Sequence, residues 1–195
     1  MEDRNLTEKE SLELISRMIK ETRQNMACYA GYPFLIWGYL TTVIAVVVWF
    51  FMVYYPQVEI AYLWCALPVL GLPLTFYFNR KYNRKGFTTY MDRINGNIWI
   101  VFGCVAFVLS GFAMFMPFWI DIYFIIPLMI GMGQTITGCV IRYSPLIWLG
   151  AIGTTLSFVQ LFIDGENRLL VFALIFILMS IIPGHLLNKK LRGNV

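Results

Sequence analysis

Six stretches of this chain, 33–55, 60–78, 97–116, 119–141, 145–163 and 168–187, each run close to the roughly 20 apolar residues that cross a hydrocarbon layer. Asp121 and Arg168 sit at the ends of two of them, and no Asp, Glu, Lys or Arg is left in any interior. With 59% hydrophobic residues, the chain carries more apolar surface than a water-soluble fold can hide. The expected fold class is therefore an all-α integral membrane protein. Its six transmembrane helices would pair as three helical hairpins, preceded by a cytosolic amphipathic helix.

The middle hairpin is the clearest. Trp99 to Asp121 is 22 positions and Asp121 to Arg142 is 21, so each leg climbs about 32 Å at 1.5 Å per residue. The same spacing separates Trp37, Glu59 and Arg80, and a looser version separates Trp148, Glu166 and Lys189 by 18 and 23. Internal duplication accounts for this pattern. Convergence does so equally well, because a Trp favours the membrane interface, an acid suits the start of the returning helix and a base suits its end.

Basic residues orient the chain. Five lie in the N-terminal segment, five more are Arg80, Lys81, Arg84, Lys85 and Arg93, and Arg142, Lys189, Lys190 and Arg192 complete one side. The other side holds Arg168 alone among cations, with Glu59, Asp121, Asp164 and Glu166. The positive-inside rule then places both termini in the cytoplasm. The basic face would also attract anionic lipid headgroups. Since topology already demands these cations, nucleic-acid binding is not expected.

Residues 1–32 read as a cytosolic amphipathic helix and linker, and 188–195 as a basic cytosolic tail. Thr7 and Glu10 have capping-box spacing, which starts a helix near Glu8. Leu12, Leu14, Ile15, Met18 and Ile19 fall on one side of its wheel. Its charges balance at five basic to six acidic, whereas a bilayer-surface anchor carries an excess of Lys and Arg. That apolar face is the candidate partner-docking surface, to be covered by the protein's own cytosolic side, a second copy or a separate protein. Residues 25–32 read as the linker to the first span. The eleven charges in the first 25 residues exclude a cleaved secretory signal, so the first span would act as signal anchor.

Polar groups inside the spans are few. Small residues form stripes at Gly103, Ala106, Ser110 and Ala113, at Gly131, Gln134 and Gly138, and at Gly150, Gly153, Ser157 and Gln160. Such stripes let helices approach closely in lipid, so spans three, four and five are the expected tight centre. Gln134, Thr154, Thr155, Thr41, Thr42 and Ser180 all lie about 12–15 Å in from the basic end. They form a candidate polar layer, either lining a pocket or serving as interhelical glue. His185, the single histidine, follows Pro183-Gly184 in a span without an acidic partner, which favours a snorkelling or capping role. Cys28, Cys65, Cys104 and Cys139 include no C-x-x-C pair, and no metal or cofactor site is suggested. No nucleotide-binding or nucleophile-elbow motif is present.

With the Pro33-Phe34-Leu35-Ile36-Trp37-Gly38 lead-in to its first span, the chain resembles the many uncharacterised six-helix bacterial inner-membrane proteins that carry an N-terminal amphipathic helix. The resemblance implies a multi-pass protein of the bacterial cytoplasmic membrane and brings no activity with it. The expected function is a non-enzymatic partner-binding or regulatory subunit, or a homo-oligomer, docking through the N-terminal helix. The alternatives are a small-solute transporter or channel built on the polar layer, and an intramembrane enzyme using His185.

Overall fold

The computed structural model describes residues 8–55, 60–82, 90–115 and 121–192, and all secondary structure among them is helical. Helix α1 runs Glu8–Tyr54. A 3-10 turn, Ile60–Cys65, leads into α2, Ala66–Tyr82. Helix α3 spans Tyr90–Phe115, α4 Ile122–Ile141 and α5 Ser144–Ser157, the last prolonged by a 3-10 segment, Phe158–Phe162. Helices α6, Arg168–Phe176, and α7, Ile182–Arg192, are joined through a π-helical segment, Ile177–Ile181. Among the described residues, six helical stretches are long and apolar enough to cross a membrane: Gly31–Tyr54, Tyr62–Lys81, Arg93–Ala113, Ile122–Ile141, Ser144–Phe162 and Arg168–Lys189.

The first departure from expectation is at 25–32, which is helix and not a linker. Of these residues only Gly31 is a poor helix former, and Pro33 removes a single N–H, the one that would serve the Tyr29 carbonyl. One lost bond does not end this helix, because Gly31 and Phe34, on either side of Pro33, are buried and Gly31 lies against Gly184 and Asn188 of the last span. The result is a rod of 47 residues, about 70 Å long, of which residues 8–30 extend about 34 Å beyond the first span. Thr7 of the expected capping box lies outside the described residues.

Two contacts hold the middle of the bundle. Helices α4 and α5 are joined by a two-residue turn at Arg142-Tyr143. There Arg142 takes the left-handed conformation (φ 53°, ψ 48°), and its N–H reaches the Cys139 carbonyl at 3.3 Å while that of Tyr143 reaches Gly138 at 2.9 Å. Pro145 then starts α5, where a missing N–H costs nothing. The two helices meet backbone to backbone at Gly131 and Gly150. A Cβ on Gly131 would stand 2.8 Å from the Thr154 nitrogen and 3.0 Å from the Gly150 carbonyl oxygen, and one on Gly150 would stand 2.8 Å from Thr135 N and 3.0 Å from Gly131 O.

The second contact is between α1 and the last span. Ile44, Ala45 and Val48 of α1 pack on Leu169, Phe172, Ala173, Ile175 and Phe176 of α6 and on Met179. Toward the basic end, Gly38 abuts Ser180, where a Cβ would fall 2.9 Å from Ser180 Cβ, and Gly184 abuts Gly31, its added Cβ falling 3.2 Å from the Gly31 carbonyl. Phe34, Ile141, Tyr143, Leu146 and Leu187 close the bundle beneath.

Spans three, four and five therefore do not form the centre together. The stripes on α4 and α5 are buried as the sequence suggests, but that on α3 is not: Gly103 and Ser110 are exposed, and a Cβ on Gly103 would meet nothing within 4 Å. Its place is taken by α1 and the last span. Lipid solvates an apolar helix as well as another helix does, so a small-residue stripe permits close packing without enforcing it.

Helices α2 and α3 attach to the core through one shared device. Trp37 Nε1 donates to Thr75 Oγ1 at 3.1 Å, and Trp99 Nε1 donates to Thr137 Oγ1 at 3.1 Å, each across 38 positions. Both threonines donate to the carbonyl four residues back, Gly71 at 2.7 Å and Gly133 at 2.9 Å. Both glycines carry the tryptophan ring: a Cβ would lie 2.9 Å from Trp37 at Gly71 and 3.6 Å from Trp99 at Gly133. The two sets are offset by 62 positions, as are Glu59/Asp121 and Arg80/Arg142. Interfacial preference accounts for the Trp, the acid and the base, but asks for neither the Gly nor the Thr. The third copy lacks this match, since Trp148 faces outward at 67% exposure.

Replacing Gly131 with Ala is expected to destabilise the bundle by about 1–3 kcal/mol through overpacking. Gly103→Ala, with open space around it, is expected to change stability by less than about 0.5 kcal/mol. Reversible unfolding of the two variants in mild detergent checks both.

Candidate functional site

The polar layer is best built outward from Pro183. A proline in a helix interior gives no N–H, so the carbonyl four residues earlier, that of Met179, loses its α-helical partner. In lipid such a carbonyl needs another donor. Gln134, fully buried on α4, supplies it: its Nε2 donates to Met179 O across 45 positions. The π segment Ile177–Ile181 immediately precedes, with the Ile182 N–H reaching back five residues to Ile177 O. Gln134, expected as a member of the polar layer, thus repairs a break in the neighbouring helix. Its Oε1 remains buried without a hydrogen-bond partner.

The other members of the layer divide. Ser180 and Thr41 are buried, Ser180 lying next in sequence to the Gln134 acceptor and against Gly38. Thr154 Oγ1 donates to Gly150 O at 2.9 Å beside Gly131, within the α4/α5 contact. Thr155 is exposed and donates to Ala151 O at 3.0 Å. The Thr42 hydroxyl is buried without a partner. Gln134 and Ser180 are brought to one place, the bend in the last span, whereas Thr154 and Thr155 are turned onto their own helix. None of the six lines either of the open grooves beside α2.

The sequence singles out Gln160, Arg168, Asp121 and His185 without giving them partners, and it passes over Thr137. Gln160 is fully buried near the acidic end and its Nε2 donates to Arg168 O at 3.4 Å. Arg168 in turn donates to the Asp121 carboxylate and lies with its guanidinium carbon 5.5 Å from the Tyr123 ring centroid. Asp121 caps α4, accepting from Phe124 N at 3.3 Å. The charge pair that looked like two span ends on one side is therefore a tie between α4 and α6. Its signal was available: one cation among four acids has a choice of partners, but only folding selects Asp121. Thr137 accepts from Trp99, and its proton is shared between Gly133 O and Asn95 Oδ1, each at 2.9 Å. His185 is not isolated. Its Nε2 lies 2.7 Å from the Tyr39 hydroxyl, with the rings edge to face at 5.9 Å.

On the docking face, Leu12 and Leu14 are 68% and 49% exposed. The side chains of Ile15, Met18 and Ile19 lie outside the described residues. Among the described residues no group of three His, Cys, Asp or Glu could hold a metal ion. No protein-family model, curated protein or solved structure matches the chain.

Removing the Gln134 amide with Gln134→Leu is expected to cost about 0.6–2 kcal/mol of stability. In a Pro183→Ala background the backbone N–H of residue 183 can serve Met179 directly, so the same change is expected to cost much less. A double-mutant cycle measured by unfolding in detergent gives the coupling between the two.

Proposed function

We infer that this is a non-enzymatic membrane protein, an accessory or regulatory subunit that presents a helical arm to a protein partner. The observation that carries the reading is the arm itself. Residues 8–30 continue the first span without a break, and Leu12 and Leu14 stand uncovered on it. Leu12 and Leu14 mark the two edges of the apolar face, roughly 160° apart at 3.6 residues per turn, and a face that wide with charges that balance around it suits a protein groove better than a lipid surface. The reading includes the bacterial cytoplasmic membrane as location, three helical hairpins, and both termini in the cytoplasm. The concentration of Lys and Arg at the C-terminal ends of Tyr62–Lys81 and Arg168–Lys189 supports that orientation.

A conduit through the polar layer has weaker support. The Thr154 and Thr155 hydroxyls are spent on their own helix, and Gln134 is enclosed between α4 and the last span. Catalysis at His185 has weaker support too: among the described residues its ring nitrogen meets the Tyr39 hydroxyl, and Asp121, Asp164 and Glu166 lie at the opposite span ends.

The arm is tested by photocrosslinking in native membranes from positions 12 and 14. A discrete protein adduct that disappears in Leu12→Asp/Leu14→Asp is the expected result. Crosslinks to lipid alone, or an adduct indifferent to the substitutions, would remove the reading. The orientation is checked separately by thiol labelling of a cysteine placed at residue 194, expected only from the cytoplasmic side.

A further inference from the structure

Beside α1, on the face turned away from the core, runs an open apolar groove of about 470 Å³. Tyr32, Leu35, Tyr39 and Val43 of α1 form its floor, and Leu74 and Phe78 of α2 form one wall. Its volume falls within the range of about 300–1,000 Å³ found for small-molecule sites. Nothing in the lining bears a charge, so the body of an occupant must be apolar. The ends of the groove differ, however. Toward the basic end, Tyr32 stacks on Phe78 with ring centroids 5.9 Å apart, and just beyond it α2 carries exposed Arg80 and Lys81, which line the neighbouring groove with Pro73, Phe76 and Tyr77, Lys81 Nζ lying 5.8 Å from the Tyr77 ring centroid. Across α1 from α2, the last span contributes His185 and, one turn beyond it, exposed Lys189.

The Tyr39–His185 pair gives the groove one directed polar contact. If the tyrosine hydroxyl donates to Nε2, the other ring nitrogen carries the proton and can donate outward; if Nε2 carries it, the hydroxyl is the group left to donate. Either tautomer leaves the pair one further hydrogen-bond donor. An apolar slot, a donor at its rim and cations on both flanking helices match an acyl chain, an ester or phosphodiester oxygen, and an anionic headgroup in that order.

We propose that the groove between α1 and α2 is a binding site for one anionic phospholipid, its chain along Leu40 and Val43, its ester region at the Tyr39–His185 pair and its headgroup on the basic-end side of that pair, toward Lys81 and Lys189. The site requires the chain to be embedded in a membrane but does not depend on what the N-terminal arm binds. The arm can be left intact in every variant, so the two readings fail separately.

The test uses the full chain, purified in mild detergent and exposed to equal amounts of dioleoyl phosphatidylglycerol and dioleoyl phosphatidylcholine. Bound lipid is counted by native mass spectrometry. One phosphatidylglycerol per chain is expected to be retained in preference to phosphatidylcholine. Val43→Trp, which fills the groove from a position 57% exposed, is expected to abolish that retention without affecting thermal stability. Lys189→Gln and Lys81→Gln should each weaken it about fivefold, and Tyr39→Phe together with His185→Leu should erase the preference for the anionic lipid. Equal retention of the two lipids would overturn the proposal. So would phosphatidylglycerol binding that survives Val43→Trp, or displacement of the lipid by free glycerol phosphate as effectively as by intact phosphatidylglycerol.

Discussion

Contact between glycine backbones is the interaction on which the bundle depends. In water, burying leucines drives helices together, but in lipid an apolar side chain is equally well solvated on either side of an interface. What remains is close packing and the few hydrogen bonds that it allows. Gly131 against Gly150, and Gly31 and Gly38 against Gly184 and Ser180, bring two pairs of helices near enough for backbone atoms to touch. The larger residues of the core, among them Phe172, Phe176, Met179 and Leu146, fill the spaces that these contacts define. Where no such contact forms, as along α3 beyond Gly103, the helix stands open to its surroundings.

The bend in the last span shows how polar groups are managed in this setting. Pro183 leaves the Met179 carbonyl without its ordinary donor, and the π segment before it is a second departure from α geometry. Gln134 reaches across from α4 to supply a donor. That bond can form only because the α4/α5 and α1/last-span contacts hold α4 beside the bend. A polar side chain that looks like a candidate site on its own thus works as part of the frame. Its unpartnered Oε1 is the remaining cost of placing an amide there.

The peripheral helices follow a different rule. Trp37 with Gly71 and Thr75, and Trp99 with Gly133 and Thr137, clasp α2 to α1 and α3 to α4 with the same bonds at the same separations. The regularity of Trp, acid and base could be read along the chain because interfacial chemistry is local to each residue. The Gly and Thr, which complete the match, could not be singled out until the indole was seen to lie on one and to donate to the other. Span four then carries a second set of partners, α5 and the last span, that α2 does not have. Units of one plan consequently occupy unequal positions in the bundle.

Sequence alone determined the number and order of the apolar helices, because their length is set by the rise per residue against a fixed hydrocarbon thickness. It also identified the stripes on α4 and α5 that are buried, and it placed Gln134 in the candidate polar layer. It missed the continuity of α1 through 25–32, since Gly31 and Pro33 look like punctuation where the burial of Gly31 and Phe34 against the rest of the bundle carries the helix through. It assigned α3 to the centre and overlooked Gly31, Gly38 and Gly184, because hydropathy in a membrane does not reveal which face meets another helix. The pairings of Asp121 with Arg168, Tyr39 with His185 and Gln134 with Met179 join residues 47, 146 and 45 positions apart. Only the tertiary structure could decide them, because each is a choice among several chemically equivalent partners that helix packing alone resolves.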